Sequence, residues 1–321
     1  MRCELAAITA LFAFVSVSPA ISASGYELTG RIEPPARVAV SLSGATTPFQ
    51  GSTLSGADGR FVFHKLSPGI YTLVVSTAAR GKVVQTIDLS AGTVDRKGRL
   101  DVLVKIEPGR LESDGGVSTG ATVSATVLST PERAAKEYDE ALRCLNRRDS
   151  ACAATHLQTA VDIAPRFSAA WNQLGIIAYQ TKRYSDAESH FRQALEVSPG
   201  AFEPLVNLGG VLLNLARPRE ALTYNQRAAS RAPNDALANS QLGLTYFQLG
   251  NGTEAERFLR IAVSLDPAHF SYPQLTLAKI YAQRGDRPAA LEQLRDFLTR
   301  HPDAPVAPAV RRNIARLSSP N

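Results

Sequence analysis

The C-terminal part of the chain carries prolines at a nearly constant interval. They lie 34, 34, 34 and 35 residues apart, at Pro165, Pro199, Pro233, Pro267 and Pro302. Twelve residues before each proline stands an alanine, at Ala153, Ala187, Ala221, Ala255 and Ala290. Twenty-four residues before each proline stands another small residue, at Ala141, Gly175, Gly209, Gly243 and Ala278. A fixed period of this length predicts a solenoid of repeated supersecondary units.

The small residues in this ladder have a physical explanation in helix packing. Two antiparallel helices of about three turns each approach closely only where the facing side chains are small. A proline then ends each pair, because it cannot continue a helix and it restricts the residue before it. One inserted residue, near His269 and Phe270, falls in a turn between repeats, where we expect it to be tolerated. The sequence predicts helix pairs over 134–167, 168–201, 202–235, 236–270 and 271–304, and a capping helix over 305–317.

The second repeat carries the pattern most fully. Its characteristic residues are Trp171, Leu174, Gly175, Tyr184, Ala187, Phe191, Ala194 and Pro199. This pattern resembles the tetratricopeptide repeat family, in which the first helix of each pair lines a concave groove. The resemblance implies a non-enzymatic adaptor that binds a protein or peptide partner in that groove.

The groove-lining positions are rich in amide side chains with apolar residues between them. The candidate peptide-binding residues are Asn172, Gln173, Tyr179, Asn207, Asn214, Gln241, Phe247 and Gln248. An amide offers both a donor and an acceptor, so it can pair with a peptide backbone without reading the peptide sequence. Among the groove-lining positions of all five repeats, the one cation is Lys279 in the fifth. This disfavours the basic clamp with which co-chaperone members of the family bind the terminal carboxylate of a peptide. The alternative is that the amides only solvate an open surface.

The N-terminal half follows a different period. From Tyr26 to Ile106 apolar residues alternate with polar ones and β-branched residues are frequent, as in half-buried strands. With turn signals between the runs, this predicts six or seven strands in an antiparallel sandwich over 26–107. The segment from Asp58 to Leu73, with its Asp-Gly-Arg-Phe and Pro-Gly-Ile-Tyr motifs, resembles the carboxypeptidase regulatory-like domain, a prealbumin-like β-sandwich. That resemblance implies an accessory or surface-binding module.

A change in composition separates the two halves. Residues 108–130 are rich in Gly, Ser and Thr, which is the composition of a flexible linker. We therefore predict two domains: a small all-β sandwich, followed by an all-α tetratricopeptide solenoid over 131–319 with five helix pairs and a capping helix.

The first 23 residues have the features of an export signal. Arg2 supplies a positive charge, an apolar run extends from Leu5 to Val17, and Ala20 and Ala23 offer cleavage positions. The run is too short to span a hydrocarbon core of about 30 Å, although an uncleaved anchor is the alternative. We expect an exported protein, periplasmic, secreted or associated with the cell envelope, with no membrane span after signal removal.

Two cysteines remain after this segment, Cys144 and Cys152, eight residues apart. In an oxidising compartment they can form a disulfide across a helical hairpin if their Cα atoms lie within about 7 Å. The alternative is a pair of small, buried helix residues. We expect no metal site, because His156 alone does not complete a ligand set with them.

The charges and motifs exclude other functions. The net charge of +6 divides into +2 for residues 1–131 and +4 for residues 132–321, without a concentrated basic block, so we expect no nucleic-acid partner. The sequence has no Gly-rich phosphate loop, nucleophile elbow or paired-histidine metal motif, so we expect neither catalysis nor a cofactor. The alternative function is a cell-envelope structural protein, or a cell-wall glycan-binding protein that recognises its ligand through the β-sandwich.

Overall fold

A computed structural model of the protein describes residues 25–77, 81–106 and 130–318. The predicted signal segment and nearly all of the predicted linker lie outside the described residues. A β-rich region comes first and eleven α-helices follow it.

The β-rich region is a sandwich of two sheets, with strand orders β4-β1-β7 and β3-β2-β5-β6. The strands are β1 (Tyr26–Glu33), β2 (Ala39–Gly44), β3 (Gln50–Leu54), β4 (Arg60–Leu66), β5 (Gly69–Thr77), β6 (Gly81–Leu89) and β7 (Arg99–Lys105). The prediction of antiparallel pairing is wrong at one place, because β7 pairs with β1 in parallel. The physical reason is that the connection after β6 crosses to the other sheet and enters β7 in the direction of β1.

The period-two pattern of the sequence forms the core of the sandwich. Alternate residues of β1 and β4 point inward, and Phe61 and Phe63 meet with their ring centroids 6.2 Å apart. The turn before β4 depends on Gly59, whose φ of +77° is a conformation that glycine adopts readily.

The helical region consists of five antiparallel pairs and one final helix. They are α1 (Glu132–Asn146), α2 (Ser150–Ile163), α3 (Ser168–Gln180), α4 (Tyr184–Val197), α5 (Phe202–Asn214), α6 (Pro218–Arg231), α7 (Ala236–Gln248), α8 (Gly252–Leu265), α9 (Pro273–Gln283), α10 (Arg287–Arg300) and α11 (Ala307–Ser318). The fold class predicted from the repeat is therefore confirmed. None of the helices in the described part of the chain is long and apolar enough to cross a membrane.

The glycine ladder lies where the two helices of a pair are closest. A Cβ atom on Gly175 would lie 2.5 Å from the Phe191 ring, and one on Gly243 would lie 2.7 Å from the Leu259 side chain. Real Cβ contacts are essentially never this short, so only glycine allows the helices this separation. The family-like spacing of small residues therefore serves packing within each pair.

The first helix pair is cross-linked, and the last pair is covered by a further helix. Cys144 and Cys152 form a disulfide that joins α1 to α2, with their Cα atoms 5.8 Å apart. At the other end α11 covers the last pair, where Val310 packs in a cluster with Leu294 and Phe297. Such a terminal cap shields the last repeat of a solenoid from water.

Candidate functional site

The β-sandwich lies against the groove face of the helical array. The turn between β2 and β3, which we call the hairpin (residues 44–50), reaches the first helices of the array. Gln180 of α3 donates through Nε2 to the backbone carbonyl of Gly44 at 3.0 Å. Seven residues earlier, about two turns along the same face of α3, Gln173 donates through Nε2 to Oε1 of Gln50 at 2.9 Å. Gln173, predicted from the sequence to line the groove, and Gln180 of the same helix are thus engaged by the chain itself.

Arg148 anchors the sandwich at the first repeat. It lies in the turn between α1 and α2 with φ of +62°, and its guanidinium donates to Ser67 Oγ and, at 3.4 Å, to the Tyr71 hydroxyl. The same guanidinium carbon lies 5.3 Å from the ring centroid of Phe49, a cation–π distance. Burial raises the pKa of Tyr71, against the opposing charge of Arg148, so this hydroxyl stays neutral.

A second group of contacts holds the sandwich at the last repeats. The backbone N–H of Thr86 in β6 donates to Asp266 Oδ2 at 3.1 Å, and Ser90 Oγ lies 3.5 Å from Asp303 Oδ2. His301 Nδ1 lies 4.0 Å from Asp88 Oδ2. The sandwich therefore bridges the groove from the first repeat to the last.

Two cavities remain between the sandwich and the helices. The edge cavity, of about 400 Å³, lies beside β6 and is lined by Val84 and Thr86 on one side and by Asn207 and Asp235 on the other. Burial raises the pKa of Asp235 despite its bond from the Ala238 N–H. The central cavity, of about 340 Å³, lies under the hairpin and is lined by the amides Asn172, Gln173, Asn207 and Gln241.

A third cavity opens beside the tip of the hairpin. This hairpin cavity, of about 480 Å³, has an apolar part formed by Leu213, Leu237, Leu244 and Phe270, and a polar part formed by Gln180, Asn214, Gln241 and Gln248. Among the described residues that line it, Lys182 is the one charged side chain. Its walls thus combine amides and apolar groups, the chemistry that suits an uncharged, extended peptide.

Most of the predicted groove residues come together around these cavities. Asn207 Nδ2 donates to Asn172 Oδ1 at 3.1 Å, and Asn214 Nδ2 donates to the Tyr179 hydroxyl at 3.1 Å. Burial raises the pKa of Tyr179, so the hydroxyl stays protonated. These bonds link successive repeats and hold the amides in fixed orientations.

Gln241 and Phe247 differ from the rest of the set. Gln241 borders both the central and the hairpin cavity, and its Oε1 is buried without a hydrogen-bond partner. Phe247 does not line any of the three cavities; it packs against Leu259 and Leu277 of the neighbouring helices. The assignment of Phe247 to a groove pocket stays a prediction.

Phe270 is a groove residue that the sequence reasoning missed. It borders the edge, central and hairpin cavities. It lies at the one-residue insertion between α8 and α9, after which Tyr272 adopts φ of +52° and Pro273 begins the next helix. The signal for it in the sequence is the spacing of 35 between Pro267 and Pro302, which predicts an inserted turn residue but not its position in the groove.

One cluster outside the groove has metal-ligand chemistry. The sulfurs of Cys144 and Cys152 and a ring nitrogen of His156 lie within 4.8 Å of one another, and Glu137 Oε2 lies 2.7 Å from His156 Nδ1. The cysteines are joined as a disulfide, and metal coordination requires free thiolates. In this state neither sulfur of the cluster is available as a thiolate ligand.

Comparison with known proteins agrees with the geometry of the array. Family models described as "Tetratricopeptide repeat" match residues 138–202, 178–243, 236–269 and 274–304. The chain is a tetratricopeptide repeat protein. The resemblance proposed from the second repeat is thereby confirmed for the helical half.

Curated relatives share part of this tetratricopeptide repeat chain. Anaphase-promoting complex subunit 3 of Schizosaccharomyces pombe is 26% identical over 168 residues, which are 52% of this chain and 23% of that protein. Cell division cycle protein 16 homolog of Homo sapiens is 31% identical over 115 residues, 33% of this chain and 18% of that protein. The chain thus spans less than a quarter of the length of these relatives.

Solved structures of other proteins are similar to the helical part of this chain. PilW, a widely conserved type IV pilus biogenesis factor, superposes with a TM-score of 0.52 at 22% identity, covering 58% of this chain and 86% of PilW. MamA from Desulfovibrio magneticus RS-1 gives a TM-score of 0.49 at 22% identity, covering 55% of this chain and 99% of that one. The tetratricopeptide fold is a protein-interaction scaffold, and this likeness concerns the fold alone.

Proposed function

We propose that this tetratricopeptide repeat protein is an exported, non-enzymatic adaptor that binds an extended segment of a partner protein in its groove. The observation that carries the proposal is the bond from Gln180 to the Gly44 carbonyl. A groove amide there holds a main-chain carbonyl and does not depend on the side chain of the residue it binds. A partner backbone presents the same carbonyls.

The hairpin cavity supplies further positions of the same kind. Asn214 and Gln248 follow Gln180 at intervals of 34 residues, and all three line this cavity. Gln241 adds a buried Oε1 that lacks a donor, which a partner N–H could supply. Beside the amides, Leu237, Leu244 and Phe270 form an apolar surface for a partner side chain.

The nearly uncharged lining determines how binding responds to salt. Interactions between neutral groups are not screened by ions, whereas contacts between exposed charges are. We therefore expect affinity in the micromolar range or weaker, about −8 kcal/mol or less favourable, with little change between low and physiological salt.

The test uses a library of random 12-residue peptides, selected against the full chain, with the best peptide then titrated by calorimetry. Gln241→Ala and Asn214→Ala should each weaken binding about tenfold, the loss of roughly one hydrogen bond. Gln158→Ala is the matched control, because Gln158 is an exposed amide on α2 that bonds Asp162. Unchanged affinity in both groove variants, or an equal loss in the control, contradicts the groove assignment.

Export is part of the proposal and has its own test. It rests on the sequence features of residues 1–23, and the Cys144–Cys152 disulfide agrees with an oxidising compartment. Cell fractionation followed by N-terminal sequencing should find the chain outside the cytoplasm, beginning after Ala20 or Ala23. A cytoplasmic protein that retains Met1 would contradict export.

For the sandwich we propose an accessory role as a carboxypeptidase regulatory-like module. Its two motifs form the turns before β4 and β5, as that resemblance implies. The glycan-binding alternative has no observation in its favour. The aromatic residues among the described positions of the sandwich pack in or against its core: Tyr26, Phe49, Phe61, Phe63 and Tyr71.

A further inference from the structure

We infer that the β-sandwich is a built-in occupant of the groove, which a partner segment must displace in order to extend beyond the hairpin cavity. The inference rests on the proposed function, since it concerns access to the same groove. It differs from a fixed binding wall, in which the sandwich would remain in place and contribute contacts to the partner.

The hairpin occupies the positions that a partner backbone would take. Gln173 and Gln180 of the second repeat each donate a hydrogen bond from Nε2, to Gln50 and to Gly44 respectively. Ala45 and Thr46 of the hairpin also form one side of the hairpin cavity and so limit the length of groove that is open. A partner segment that extends along all the repeats cannot fit while the hairpin is present.

The interface lacks a shared apolar core. Each buried hydrophobic cluster among the described residues belongs wholly to the sandwich or wholly to the helices. Burial of apolar surface is the main source of stable association between folded units. The sandwich is instead held by polar contacts, whose net contribution is limited because the same groups can bond water when the sandwich is undocked.

The interface is also incompletely packed and incompletely satisfied. The edge and central cavities lie within it, whereas well-packed protein interiors have few voids larger than a water molecule. Buried polar atoms without a hydrogen-bond partner occur on Thr86, Gln180 and Gln241, all of which line the interface. Each such atom opposes docking, so a partner that satisfies these groups can compete with the sandwich.

The sandwich contacts the first repeat through Arg148 and the later repeats through Asp266, and both can be substituted without changing the candidate groove amides. Arg148→Ser removes the contacts with Ser67, Tyr71 and Phe49, and Asp266→Ala removes the acceptor for the Thr86 N–H. Arg295→Ser with Asp162→Ala makes the same change of charge at exposed helix positions and is the control. A second double variant, Gln50→Ala with Ser90→Ala, removes contacts from the sandwich side, so that misfolding of the first does not decide the result.

Two measurements on the full chain test the inference. Small-angle X-ray scattering without peptide should show a compact wild type and an increased maximum dimension in both interface variants, but not in the control. The peptide selected above should bind the interface variants about tenfold more tightly, because docking no longer competes with it.

The outcomes separate this inference from the proposed function. Compact interface variants, an extended wild type, or unchanged or weaker peptide binding on undocking would each overturn the displaceable occupant. Binding that is lost in Gln241→Ala but not strengthened by undocking overturns the inference and leaves the groove function standing. An undocked variant that selects no peptide at all overturns the proposed function.

Discussion

At the scale of single residues, the glycine ladder makes a sharp stability prediction. A Cβ atom on Gly209 would lie 1.8 Å from Oδ1 of Asn225, a fully buried amide that donates to Thr245. Gly209→Ala should therefore lower the free energy of unfolding by about 1–3 kcal/mol, despite the better helix propensity of alanine. Urea unfolding measures it.

Gly200 provides the control for this substitution. A Cβ atom there would meet only the Arg231 side chain, at 3.5 Å, which is ordinary contact. Gly200→Ala should leave the free energy of unfolding nearly unchanged. If Gly209→Ala is as stable as Gly200→Ala, the close approach of α5 and α6 is not what requires glycine.

His269 predicts how stability responds to acid. Burial lowers its pKa from 6.5 to about 4, although Asp266 opposes this and His301 adds to it. His301 in turn faces Asp88. The pKa of His269 is lower in the folded than in the unfolded chain. At pH values between the two pKa values, the unfolded chain therefore binds one more proton than the folded chain. Stability should fall by up to roughly 3 kcal/mol as pH decreases from 6.5 to about 4, and level off below.

The measurement is urea unfolding at about pH 7.5 and about pH 4.5 for the wild type and His269→Gln. In His269→Gln the free energy of unfolding should differ much less between the two pH values than in the wild type. His64→Gln is the control, since the His64 side chain is 63% exposed and pairs with Glu27 at the surface. A wild-type difference that persists in His269→Gln would assign the acid sensitivity to other groups.

At the scale of secondary-structure elements, several helices begin at a side-chain cap. Asp286 accepts the Ala289 N–H at the start of α10, at 3.1 Å, as Asp235 does for α7. Asp286→Ala should lower the free energy of unfolding by about 1 kcal/mol, and Asp286→Asn should restore most of it. Thermal unfolding compares the three proteins; equal midpoints would show that the Pro288 in the first turn already fixes this helix start.

The elements could be predicted from the sequence because their causes are local. The 34-residue ladder specified the helix pairs, and the alternation around Val40 and Phe61 specified the strands. The parallel pairing of β7 could not be predicted, because it depends on which sheet the chain enters after β6. The position of Phe270 depends on the conformation of a turn that contains one extra residue. The position of Phe247 depends on how neighbouring repeats pack. A local sequence period encodes neither.

At the scale of the whole molecule, docking of the sandwich was invisible in the sequence. Its contacts join residues far apart in the chain, such as Gly44 with Gln180 and Thr86 with Asp266, and each is a single polar bond without a motif. The sequence indicates only the groove amides, because they recur at equivalent positions of the repeats. The repeats are therefore held together in two ways: each packs against its neighbours, and the sandwich contacts both the first and the last repeats.

Removal of the capping helix tests which connection dominates stability. A chain that ends at Val306 loses α11 and exposes Leu294 and Phe297 of α10. Because repeats stabilise their neighbours, hydrogen exchange should become faster in α9 and α10 and stay nearly unchanged in α1 and α2. Arg312→Ala, on the exposed side of α11, should leave every helix protected. An equal loss of protection from α1 to α10 would mean that the docked sandwich makes the array one cooperative unit, since α1 and α2 do not contact the removed helix.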